Sequence, residues 1–377
     1  MELALTEDQE FFRDTTRRFL STECPISVVR ESEASDAGFD DGYWRQGAEL
    51  GWTSLAIPES DGGGSISGKP MVDLSVIADA FGRAVAPGPL IPVNVVASAV
   101  ARNGTDEQRE ALLPGILSGE EVGAWCGSDI ALGRLPADQD VVARTNGGDI
   151  LLSGVATPVE AGAQAQHLLV TARTDDGIAQ YVLPADAAGV QVVPLRSLDI
   201  VRRYARVEFD DVRVPASAAI GRSADAAGEA ERQLQLAVVM QVAEMVGAAE
   251  TVFDFTVEWS FDRYSFGRPL ASYQELKHRF ADMKTWLEAS HGLGTAVARE
   301  VDGDEPEAGE TASAAKAYAG EYLAELVQDC VQMHGGIGLT ADHDIHLYLR
   351  RVTADRATYG TPADHRQRIA ARHLEMA

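Results

Sequence analysis

The order in which local patterns change along the chain restricts its fold more than any single motif does. Residues 1 to 118 read as helices, 119 to 224 as short strands, and 225 to 377 as helices again. In the first region Leu5, Phe11, Phe12, Phe19 and Leu20 recur near helical spacing. Thr6-Glu-Asp-Gln9 has the form of a capping box, in which hydroxyl and amide side chains each satisfy a free N–H of the first turn. Thr105 is a second N-cap, with acids behind it facing the positive end of a helix. Between them Pro58-Glu-Ser-Asp-Gly-Gly-Gly-Ser65 is a loop, and Met71 to Ala84 another helical run.

The middle region consists of short runs rich in β-formers: Val141-Val-Ala-Arg, Ile150-Leu-Leu, His167 to Ala172, Gln180-Tyr-Val-Leu, Val190-Gln-Val-Val and Tyr204 to Phe209. Turn clusters such as Asn146-Gly-Gly-Asp and Asp175-Asp-Gly separate them. Several strands with tight turns and no intervening helix predict an antiparallel barrel or sandwich.

The longest periodic run spans about Leu234 to Trp259. At 100° per residue Val238, Val242, Met245, Val246, Ala249 and Phe253 form one stripe, and Ala237, Met240, Ala248, Thr251 and Phe255 another. A helix apolar on two sides belongs inside a bundle. Glu244 falls in the second stripe. A carboxylate there either faces a cavity with a raised pKa, as a general base requires, or is held by a cation in a buried or interface salt bridge.

Composition narrows the partners. A formal net charge of −26 disfavours nucleic acid and anionic membrane, and any phosphate ligand needs local arginines and helix N-termini to overcome it. Cys24, Cys126 and Cys330 are far apart, in no metal-binding pattern, and are expected to be reduced. An acidic, helix-like start without a basic and apolar leader leads us to expect a cytoplasmic protein. No uninterrupted apolar run approaches bilayer length.

Two motifs carry chemistry. Gln332-Met-His-Gly-Gly-Ile-Gly338 is a turn whose small residues let backbone N–H groups approach an anion, with Gln332 and His334 adding polar contacts. Arg263-Tyr-Ser-Phe-Gly267, followed by Tyr273-Gln274 and His278, supplies a guanidinium for a charge-assisted clamp. With Val207-Glu-Phe-Asp-Asp-Val-Arg-Val-Pro215 and Gly51-Trp…Ile57-Pro-Glu…Gly62-Gly-Gly, these motifs resemble the acyl-CoA dehydrogenase family in order and spacing over nearly the whole chain. The resemblance implies an α+β, mostly helical fold: an N-terminal helical domain, a middle β domain and a C-terminal four-helix bundle. It implies FAD, with Arg263, Ser265, Phe266 and Gln274 near the pyrophosphate, Gln332, Gly335 and Gly336 receiving it from the adjacent subunit, and Thr361 as a further contact. It also implies an acyl-CoA substrate and electron-transfer flavoprotein as acceptor.

The chain departs from that pattern at the chemical centre. The place of the commonest catalytic glutamate, before Gly360-Thr361, holds Tyr359, and an unassisted phenol is a poor base at neutral pH. The alternative position on the long helix is Ala237. Glu244, two turns further on roughly the same face, is the candidate base, with Glu231 a second acid nearby. The loop over the flavin is represented by Ala124-Trp-Cys-Gly-Ser-Asp129, and the strand covering the ring by Val155-Ala-Thr-Pro158, without its tryptophan. The alanine-rich, acidic character and the ending Gly360-Thr-Pro-Ala-Asp-His365 resemble subunits of actinobacterial heterotetramers that degrade steroid side chains, in which two unlike chains build each active site. The leading expectation is an FAD-linked acyl-CoA dehydrogenase subunit of an α2β2 assembly acting on a bulky CoA ester. Its rivals are a non-catalytic partner, a flavin oxidase or monooxygenase on the same scaffold, and a flavin-free binding protein.

Overall fold

The computed structural model describes residues 4–127, 140–222 and 224–375. Six helices come first: α1 (Glu7–Glu23), α2 (Ile26–Glu31), α3 (Asp41–Glu49), α4 (Pro70–Ala84), α5 (Leu90–Asn103) and α6 (Asp106–Leu117). The expected capping box forms on Thr6 with Gln9, and Thr105, expected as an N-cap, forms a second box with Gln108. Eight strands follow: β1 (Gly123–Cys126), β2 (Val142–Asn146), β3 (Asp149–Glu160), β4 (His167–Thr174), β5 (Gly177–Pro184), β6 (Val190–Leu195), β7 (Tyr204–Pro215) and β8 (Ala219–Ile220). They make one sheet in the order β6-β7-β3-β2-β4-β5-β8, with β1 beside β4. Pairing is antiparallel except where β1 and β2 meet β4. Val207 and Phe209 of β7 and, past a register shift, Val212 and Val214 enter a core enclosed by the sheet together with Leu152, Leu168, Val170 and Tyr181.

The last region contains α7 (Ala226–Asp262), α8 (Gln274–Asp302), α9 (Ala308–His334), α10 (Ile345–Ala357) and α11 (Pro362–Glu375). The hairpin β9 (Tyr264–Ser265) and β10 (Arg268–Pro269) lies between α7 and α8. The bundle is built on α7, α8 and α9, and α10 and α11 both pack on α9. The first stripe of α7 is buried throughout, and the second is buried at Ala237, Met240 and Ala248 and half-buried at Thr251 and Phe255. By length and hydropathy α7 qualifies as a membrane span, but 83% of its apolar window is buried against the protein itself, so it is a core helix.

Two glycines bring α4 and α7 into backbone contact. A Cβ on Gly82 would lie 1.9 Å from the Glu244 carbonyl oxygen, and one on Gly247 would lie 2.1 Å from that of Asp79. Both distances are far inside van der Waals contact, so the crossing requires glycine at each site. The crossing fixes where Glu244 sits between the helical regions.

Candidate functional site

The flavin arm begins where α7 ends. Arg263 is the C-cap of α7, and its backbone leads into the β9–β10 hairpin. Phe266 and Gly267 form the hairpin turn with φ of 49° and 79°, a left-handed pair that glycine tolerates and phenylalanine adopts only under local constraint. That constraint includes the Tyr273 hydroxyl, which donates to the Ser265 carbonyl at 2.7 Å, and Arg268, stacked over the Tyr273 ring at 3.8 Å. Phe266 is 97% exposed, and Gln274 starts α8 exposed beside it. The side chain of Arg263 is exposed and, among the described residues, makes no ion pair.

The glycine turn adjoins this arm within the same chain. The Arg263 guanidinium lies 6.0 Å from the Trp259 ring centroid, and Trp259 stacks on His334 at 5.3 Å with 15° between planes. His334 directly precedes Gly335. Its Nδ1 is 2.9 Å from the Cys330 carbonyl oxygen, and its ring is buried against Phe255 and His343. Burial lowers the pKa of His334, which favours the neutral ring. His334 is thus an internal brace for the turn, where the motif alone suggests a polar ligand contact. Gln332, Gly335 and Gly336 are exposed, and a Cβ on either glycine would meet nothing within 4 Å. One chain therefore brings Arg263 and the glycine turn together, braced through Trp259 and His334, where the sequence reading places the two on adjacent subunits. A diphosphate fits such a face: it needs an uncommitted guanidinium and approachable backbone N–H groups.

Thr361 is placed elsewhere. It caps α11 from two residues beyond Tyr359, and its N–H and hydroxyl both donate to Asp364 at 2.8 and 2.6 Å. That commitment makes it a helix cap and leaves its hydroxyl engaged.

The expected chemical centre is filled with charge. Glu244 is 1% exposed and pairs with both Arg202 and Arg351. Arg202 also meets Asp355 at 2.8 Å and Glu160 at 3.5 Å, and Arg351 also meets Asp199. All six are at most 6% exposed. The Glu244 carboxylate is therefore not an unpaired group facing a cavity; the buried salt-bridge alternative is the one realised, and this geometry argues against a base role. Glu231 is also taken, by a two-oxygen pairing with Arg368 at 2.7 Å. Burial raises the pKa of Glu160 against the pull of Arg202. Burial likewise pushes Asp355 up and Lys316, which donates to the Asp355 carbonyl, down. For Asp199, Arg351 and Arg202 more than offset burial and hold it low.

Tyr359 belongs to this cluster. Its hydroxyl donates to Glu160 at 2.9 Å, Trp125 of β1 stacks on its ring at 6.0 Å, and burial pushes its pKa well above the ordinary phenol value. Trp125 lies in the segment read as a flavin loop, whose Ser128 and Asp129 fall outside the described residues. Arg202, Arg351, Asp199, Glu160 and Asp355 were not anticipated. A signal for two of them exists: Ile345, Tyr348, Val352 and Asp355 lie on one helical stripe of α10 with Arg351 inside it, and charges on an apolar stripe demand partners.

Comparison with known proteins agrees with this architecture. The acyl-CoA dehydrogenase N-terminal domain matches residues 6–120 and the acyl-CoA dehydrogenase C-terminal domain residues 228–374. The chain belongs to the acyl-CoA dehydrogenase family of oxidoreductases, whose members bind FAD. Among its relatives is acyl-CoA dehydrogenase IpdE2 of Mycolicibacterium smegmatis, 28% identical and matched over 97% of this chain and 99% of that protein. Among solved structures, a variant of the Tcur3481-Tcur3483 steroid acyl-CoA dehydrogenase is 28% identical, covers 98% of both chains and superposes with a TM-score of 0.88. The ChsE4-ChsE5 complex of Mycobacterium tuberculosis is 25% identical over 100% of this chain and 99% of its own, also with a TM-score of 0.88.

Proposed function

We propose that this chain is one subunit of a hetero-oligomeric FAD-dependent dehydrogenase that desaturates a bulky acyl-CoA thioester, of the steroid side-chain type, at its α,β-carbons. The carrying observation is the braced arm: an exposed guanidinium without a carboxylate, beside an open glycine turn, in a chain of net charge −26. In so acidic a molecule an uncommitted arginine at such a turn is best explained by an anion brought from outside the chain. Arg263 and the N–H groups around Gly335 and Gly336 would hold the flavin diphosphate, with Ser265, Phe266, Gln274 and Gln332 flanking it. The FAD supplies the hydride-accepting chemistry when bound. The steroid acyl-CoA dehydrogenase and the two-chain ChsE4-ChsE5 complex among the similar structures support the substrate class and the unlike partner. Electron-transfer flavoprotein is the proposed acceptor and the cytoplasm the proposed location.

The test is co-purification with a homologous neighbour chain, followed by an absorbance spectrum and anaerobic addition of a steroid side-chain CoA ester. A yellow complex that bleaches with the ester is expected. Arg263→Ala should lower flavin retention by roughly ten- to a hundredfold, the worth of one hydrogen bond to a charged group, with Arg263→Lys between the two. Full flavin retention in Arg263→Ala would remove the arm from the site. Reduction by NADH alone, and not by any CoA ester, would favour an oxygenase.

A further inference from the structure

Four helices, α1, α4, α7 and α8, leave a cavity of about 440 Å³ between them, a volume typical of small-molecule sites. Helical spacing puts its polar groups in place: Arg13 and Arg17 stand one turn apart on α1, as do Thr295 and Arg299 on α8. Apolar lining comes from Val72 and Val76 of α4 and Val246 of α7. The backbones of α4 and α7 already touch at Gly82 and Gly247, so these two helices cannot move closer to fill the space.

The charges that line the cavity are unevenly committed. Asp79 accepts from Arg17 at 2.7 Å and from Arg83 at 2.8 Å. Glu250 pairs with Arg83 and meets Lys284 at 3.8 Å. Glu10 is exposed, where water and salt screen it. Arg299 differs from all of these. It is half-buried and makes no ion pair among the described residues, and its Nε, like that of Arg17, is buried without a hydrogen-bond partner. A chain with 58 acidic and 32 basic residues has carboxylates to spare, yet it places none of them on this guanidinium. A desolvated donor left in that state is costly until an acceptor arrives, and a carboxylate is the acceptor that a guanidinium's fork fits best.

We infer that the cavity between α1, α4, α7 and α8 binds a small monocarboxylate with a compact apolar body, its carboxylate on Arg299 and its apolar part against the valines of α4 and α7. One uncommitted guanidinium calls for one negative charge. A ligand with several, such as a nucleotide, would also face Glu10, Asp79 and Glu250, and like charges in so small a space repel. The cavity shares no residue with the arm or with the buried ion cluster, so the inference stands apart from the flavin-linked reading.

Calorimetric titration of the full chain with octanoate, and separately with octan-1-ol and octylammonium, tests it. Octanoate should bind saturably, octan-1-ol at least roughly tenfold more weakly for want of the charged hydrogen bond, and octylammonium not at all. Arg299→Met keeps the apolar stem and loses the charge; it should weaken octanoate by roughly ten- to a hundredfold and leave octan-1-ol unmoved. Thr295→Phe puts an aromatic ring into the cavity and should abolish binding of both, with circular dichroism and the urea midpoint checking that each variant keeps its fold. Octanoate affinity that neither substitution changes would put its binding elsewhere and overturn the inference. So would octan-1-ol or octylammonium binding as tightly as octanoate, or the absence of any saturable octanoate binding to the unsubstituted chain.

Discussion

Removing the Glu244 carboxylate would leave the Arg202 and Arg351 guanidinium groups, both buried, short of the one acid they share. Each keeps other partners, Asp355 and Glu160 for the first and Asp199 for the second, so the loss falls at the lower end for a broken buried pair, about 3 kcal/mol. Glu244→Gln is expected to unfold at markedly lower urea with an unchanged slope, while the folded complex keeps its flavin and its bleaching by the CoA ester. Abolished bleaching at unchanged stability would restore Glu244 as the base. Periodicity alone suffices to bury this residue, because its neighbours at 237, 240 and 248 are apolar. Its partners stand 42 and 107 residues away, and no local pattern connects them.

At the scale of elements, the strands announced themselves through alternation and turn residues, and α7 through its double stripe. Strand β1 did not. All four of its residues are buried, so Gly123-Ala-Trp-Cys126 shows no alternation, and its parallel pairing with β4 is a long-range event. The docking of α11 on α9 was equally hidden, and it makes a pH prediction. His365 of α11 is fully buried, its Nε2 is 2.9 Å from the Tyr359 carbonyl oxygen, and Lys316 of α9 acts on it as a nearby cation. Burial first, then Lys316, lowers its pKa from 6.5 to about 3. The unfolded chain therefore binds a proton below pH 6.5 that the folded chain refuses. This contribution to stability is present above pH 6.5 and falls as pH drops toward 3, by about 1.4 kcal/mol per unit. His365→Gln, which keeps an N–H donor for the carbonyl, should lose about 2 kcal/mol less than the unmodified chain between pH 6.5 and 5. Urea titrations at the two pH values check this; parallel losses would show that the imidazole is not what resists protonation there.

At the scale of the whole molecule, one group of exposed apolar side chains lies where the arm is. Phe261, Tyr264, Phe266, Ile337 and Leu339 are all exposed, and they come from the end of α7, the β9–β10 hairpin and the turn after α9. Large apolar groups clustered at the rim of a polar site mark a surface that a partner covers. The helical, β, helical order made the domains readable from sequence, and the glycine turn made the arm readable. The buried ion cluster around Arg202 and Arg351 was not, because it depends on which charges meet after folding. The exposed patch and the high negative charge act in opposite directions on assembly. Carboxylates on approaching chains repel over a distance that salt shortens, while apolar burial is hardly screened. Association with the partner should therefore tighten as salt rises from about 10 mM to about 150 mM, as the Debye length falls from about 30 to about 8 Å. Phe266→Asp combined with Leu339→Asp should shift the complex to smaller species in sedimentation equilibrium and release flavin in step with dissociation. The urea midpoint of the separated chain should stay where it was, since both side chains already face solvent. A full-sized, fully flavinated complex carrying both aspartates would mean that the arm is not at the interface.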